Sequence, residues 1–84
     1  MFEIKKIIYD CKILLNEINL FLENIVLKNE TIEEINILIN GYTLLIYEID
    51  NKEKFLNEKN IIDSLNEIKS VLEITILNLK DLNP

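Results

Sequence analysis

The chain contains no histidine, alanine, arginine, glutamine or tryptophan, and only one cysteine, one glycine and one proline. Each shortage removes a class of function. Without histidine, the commonest general base and metal ligand is missing. With Cys11 alone, no intramolecular disulfide can form and no thiolate metal cage can be built, which fits a reducing compartment. One glycine excludes the phosphate-binding loop and the dinucleotide fingerprint. The acids Asp50, Glu53 and Glu58 lack the glycine and the alternating oxygen ligands of a calcium loop. No cofactor and no catalytic residue is expected, and Cys11, lying among apolar residues with nothing to activate it, reads as a structural thiol.

Isoleucine, asparagine, lysine and glutamate are abundant instead. Their codons are rich in A and T, which suggests an A/T-rich bacterial genome or one of its phages. The formal charge is −6 and the isoelectric point about 4.5. That balance argues against direct binding of nucleic acid or an anionic membrane and suits a basic protein partner. The chain begins Met1-Phe2-Glu3-Ile4-Lys5-Lys6, with an early acid and no apolar run behind it. No stretch approaches the ~20 apolar residues of a membrane span, so a cytoplasmic protein is expected.

Apolar spacing sets the fold class. Ile4, Ile7, Ile8, Cys11, Leu14, Leu15, Ile18, Phe21, Leu22 and Ile25 recur at intervals of three and four. That is the buried stripe of a helix, and its phase outweighs the preference of isoleucine for strands. Thr31 with Glu34 reads as a capping box opening a second helix, whose stripe is Ile32, Ile35, Leu38, Ile39, Tyr42, Leu45, Ile46 and Ile49. The stripe keeps its phase through Asn40-Gly41, so one helix with a weak point is expected there. Asn60 is placed as the cap of a third helix, with Asp63 in its first turn and Ile61, Leu65, Ile68, Val71, Leu72, Leu79 and Leu82 as its stripe. The expectation is an all-α single domain over 1–84, an antiparallel three-helix bundle with helices at about 2–28, 31–56 and 60–82.

A second apolar set lies off the core stripe. Ile13, Leu20 and Leu27 recur every seven residues, with Phe2 and Tyr9 beside them. Ile37 and Leu44, near Tyr47, repeat the pattern in the second helix. The third helix is apolar almost all round from Val71 to Leu82 and adds Ile74, Ile76 and Leu77. Two apolar faces per helix leave a surplus that marks an interaction surface. A homo-oligomer through Ile13, Leu20, Leu27, Ile37, Leu44, Ile76 and Leu77 would cover it; so would a packing with one helix central, or a different protein.

In size, acidity and lack of motif the chain resembles the anti-CRISPR proteins that phages use against CRISPR nucleases. The resemblance is one of character, and such proteins share no residue pattern to carry over. It implies a non-enzymatic inhibitor that fills the basic cleft of a nucleic-acid-handling enzyme, with Glu23, Glu30, Glu33, Glu34, Glu48 and Asp50 as the contact. The stretch from Phe21-Leu22-Glu23-Asn24-Ile25 through Glu33-Glu34-Ile35 to Leu44-Leu45-Ile46-Tyr47-Glu48-Ile49-Asp50 is similar to flagellar export chaperones over about a third of the chain. That similarity implies a groove for an amphipathic helix of a secreted subunit, formed by Leu72, Ile76 and Leu79. A structural dimeric adaptor or antitoxin is the third reading.

Overall fold

The computed structural model describes residues 2–24, 30–52 and 54–82, with Thr31 and Leu82 described in their backbone only. Three helices make up the body: α1 (Phe2–Asn24), α2 (Glu30–Asp50) and α3 (Glu58–Leu82). They form an elongated all-α bundle of 43 × 18 × 16 Å. Lys5 of α1 meets Asp50 while Lys12 reaches both Asp50 and Tyr47, so α1 and α2 run antiparallel. Asp10 meets Lys69, and further along Glu17 lies near Leu77 and Lys80, which sets α3 beside α1 in the same direction.

The core is drawn from the first stripe of each helix, although Leu38 and Leu45 of the α2 stripe stay exposed. Ile4, Ile7, Ile8, Cys11, Leu15 and Ile18 of α1 meet Ile39, Ile46 and Ile49 of α2 and Leu65, Ile68, Leu72, Ile76 and Leu79 of α3. Each fully buried Leu or Ile side chain contributes about 1.5–3 kcal/mol. Ile13 and Leu20 stay exposed, so α1 buries one face and not two. Ile76, expected on the outer surface, is instead buried. The run of apolar residues from Val71 blurs the inner edge of α3; the polar Thr75 beside Ile76 also goes inside and donates its hydroxyl to the Val71 carbonyl at 2.8 Å.

The helix ends differ from the sequence reading in two places. α2 stops at Asp50 and does not run on towards residue 56. Lys5 Nζ donates to the Asp50 carbonyl at 2.7 Å, satisfying a last-turn acceptor, and Lys52 N–H closes a tight turn onto the Ile49 carbonyl at 3.1 Å. α3 opens at Glu58 with Asn57, not Asn60, as its cap: the Asn60 N–H donates to Asn57 Oδ1 at 3.1 Å. Asp63 accordingly falls in the second turn. α1 is described to Asn24, whose side-chain amide donates to the Leu20 carbonyl at 2.8 Å. The expected continuation to residue 28, the Thr31 side chain of the capping box and Leu27 lie outside the described residues.

α2 passes unbroken through Asn40-Gly41. Gly41 has ordinary helical backbone, and a Cβ built on it would meet nothing within 4 Å. Gly41→Ala is therefore expected to stabilise the fold by about 0.5–1 kcal/mol, because alanine loses less backbone freedom on folding. A rise of roughly 4–8 °C in melting temperature per kcal/mol would show it.

Candidate protein-binding face

The charges are unevenly shared among the helices. α2 holds five carboxylates (Glu30, Glu33, Glu34, Glu48 and Asp50) and no lysine. α1 balances four acids with three lysines, and α3 balances five acids with three lysines. Most of the net negative charge thus lies on one helix.

Helical geometry then sorts those carboxylates. At about 100° per residue, the buried positions Ile32, Ile39, Ile46 and Ile49 point α2 inward, and the opposite arc carries Glu30, Glu33, Glu34, Ile37, Gly41, Leu44 and Glu48. Ile37 and Leu44 are 73% and 74% exposed, the two most exposed apolar side chains on α2. The acids at either end of them are exposed and make no ion pair among the described residues. The result is an apolar centre flanked by carboxylates, about 27 Å long at 1.5 Å per residue. Glu48 occupies the last turn, where the helix dipole disfavours a negative charge by roughly 0.3–1 kcal/mol. The last turn of α2 holds no basic residue, and Glu48 forms no ion pair among the described residues.

Asp50 belongs to a different arrangement. Its carboxylate accepts hydrogen bonds from Lys12 Nζ at 2.6 Å and Lys5 Nζ at 2.8 Å, and it faces α1 rather than the outer arc. Lys12 also lies 4.8 Å from the centre of the Tyr47 ring. The hydrogen bonds from Lys12 and then Lys5 hold the Asp50 carboxyl below its ordinary value. A carboxylate whose folded pKa is depressed adds stability above the unfolded value of about 3.9 and loses it as pH falls through the folded value. The melting-temperature gap between wild type and Asp50→Asn is therefore expected at neutral pH and should close as the solution is acidified below about pH 4. Of the acids read from sequence as a contact, Glu30, Glu33, Glu34 and Glu48 come together on α2. Glu23 sits on the last turn of α1, and Asp50 ties α2 to α1. Lys5 and Lys12, seven residues apart and so on one side of α1, make that tie, and nothing near Asp50 in the sequence points to them.

The apolar residues divide as well. Phe2, Tyr9, Ile13 and Leu20 form a line on the outside of α1, Ile37 and Leu44 lie on α2, and Ile74 and Leu77 on α3. Leu77 borders a shallow depression between α1 and α3 with Leu14, Glu17 and Ile76. Leu72, Ile76 and Leu79, assigned above to a groove, are core residues.

Burial pushes the Cys11 thiol up to about 11, so it stays protonated at neutral pH, with Sγ 3.9 Å from the Leu65 carbonyl. Among the described residues no group of three or more His, Cys, Asp or Glu is placed to hold a metal ion. No helix there is long and apolar enough to cross a membrane. No protein family, curated protein or solved structure was found to match the chain.

Proposed function

We propose that this is a non-enzymatic protein-binding protein, and that it acts as an inhibitor by seating the outer face of α2 in the basic cleft of a nucleic-acid-handling enzyme. The observation that carries the reading is the outer arc of α2, a helix without lysine, where Glu30, Glu33, Glu34 and Glu48 flank the exposed Ile37 and Leu44. Carboxylates spaced along a rod can occupy the place of successive phosphates, while Ile37 and Leu44 supply contact area that phosphates lack. Complementary charge speeds encounter and sets register. Glu48 fits the same idea, because it stands at a helix end where it weakens the fold. The role matches the expected cytoplasmic setting.

The export-chaperone reading would need Leu72, Ile76 and Leu79 to leave the core, and nothing in the bundle favours that. Capture of partners from a lysate of the source cell, at low and high salt, separates the possibilities. A basic nuclease or other nucleic-acid-binding protein, held at low salt and released at high salt, is the expected catch. Capture of a secreted subunit, unaffected by salt, would overturn the proposal.

A further inference from the structure

The line of apolar residues on the outside of α1 is separate from the acidic face of α2 and calls for its own explanation. Phe2, Tyr9, Ile13 and Leu20 are 85%, 64%, 48% and 51% exposed. Their spacings of seven, four and seven place them within an arc of about 40° opposite the core stripe. That is the a/d spacing of a helix seam that pairs with another helix. Lys6 and Asn16 occupy the same seam, and Glu17 borders it. The ion pairs that join α1 to its neighbours, Lys5 and Lys12 with Asp50 and Lys69 with Asp10, lie on its two flanks and leave this side open.

We infer that this seam is where a second copy of the chain docks, α1 against α1 in antiparallel orientation about a two-fold axis level with Cys11. Residues whose numbers sum to 22 then face each other. Phe2 meets Leu20 of the second copy, Tyr9 meets Ile13, and Lys6 meets Asn16. On the same flank Lys6 also comes beside Glu17 of the second copy. Among the described residues neither Lys6 nor Glu17 forms an ion pair within its own chain. The symmetry supplies that contact twice.

Charge selects this orientation over the parallel one. A parallel pair would stack Lys6 on Lys6 in the seam and bring Glu23 beside Glu23 at its border, both destabilising. The antiparallel pair leaves Glu23 beyond the end of the seam. It does bring Asp10 near Asp10 and Lys12 near Lys12, but each of these is already neutralised in its own subunit, by Lys69 at 3.2 Å and by Asp50 at 2.6 Å. The face is self-complementary, as an isologous interface must be. It leaves α2 free, so the dimer and the partner-binding reading stand or fall separately.

Sedimentation velocity across a concentration series tests the inference on the whole chain, with circular dichroism as the check on folding. Wild type is expected to pass from monomer to dimer as concentration rises. Ile13→Glu should raise the dissociation constant about tenfold or more, since it buries a carboxylate against Tyr9 of the second copy. Lys6→Glu changes an exposed side chain and Glu17→Lys a half-buried one, neither of them in the core cluster; each should weaken the dimer several-fold. The combined variant K6E/E17K should restore it, because the swapped charges again face each other. A wild type that stays monomeric throughout overturns the inference. So does a dimer indifferent to Ile13→Glu, or a double swap that fails to recover association.

Discussion

Replacing Leu72 by alanine is expected to cost the protein about 2–5 kcal/mol, close to the whole stability of a domain this small. Leu72 is fully buried at the centre of α3, with Ile68, Ile76 and Leu79 above and below it on the same helix. Truncation removes three carbons from a closed core and leaves a cavity that rigid neighbouring helices fill poorly. A bundle of 84 residues has little reserve and no disulfide to hold it. Thermal or urea unfolding followed by circular dichroism should show a large loss of midpoint or an unfolded chain. Leu44→Ala supplies the contrast, because Leu44 is on the outer face of α2 and its truncation should fall within about 0.5 kcal/mol. If Leu72→Ala melted like wild type, residues 72, 76 and 79 would be available for a groove after all.

The second large effect is on binding. The double variant E33K/E48K is expected to lose roughly two orders of magnitude in affinity for a basic partner at low salt. The pair is chosen so that folding hardly changes. Glu33 lies in the first turn of α2, where the dipole favours an acid, and Glu48 in the last turn, where it disfavours one. Reversing both should give opposite changes of about 0.3–1 kcal/mol that nearly cancel. The double variant D63K/E67K on α3 is the control for bulk charge, as it shifts the net charge by the same amount at exposed positions without touching α2. Equal losses from D63K/E67K and from E33K/E48K would mean that net charge acts, and not the α2 face. Calorimetric titration against the captured partner measures all of these.

The architecture was legible because its signal is periodic. Six buried positions of α1, from Ile4 to Ile18, fall on the stripe that spacing alone defines, and the phase carried correctly across Asn40-Gly41. What escaped was set by distant contacts. The end of α2 depends on Lys5 and Lys12, 45 and 38 residues away, and no local pattern announces them. The cap of α3 was misplaced by three residues because Asn57 and Asn60 both have capping side chains, and only the observed bond from the Asn60 N–H chooses Asn57. Ile76 was read as surface because the last turns of α3 are apolar on several sides, and burial of Thr75 breaks the simple rule that apolar residues go in. For the candidate face, the acids of α2 were visible as a group. That Asp50 leaves it to bridge α1 was visible only in three dimensions.

The claim at the centre of this account is that the acidic face of α2 takes the place of nucleic acid in a basic cleft. Its most direct test is competition: labelled nucleic acid bound to the captured enzyme, titrated with this protein at low and at high salt. Displacement of the nucleic acid at low salt, relieved as salt rises and absent with E33K/E48K, is the predicted result. A ternary complex in which the enzyme holds the nucleic acid and this protein together would contradict it.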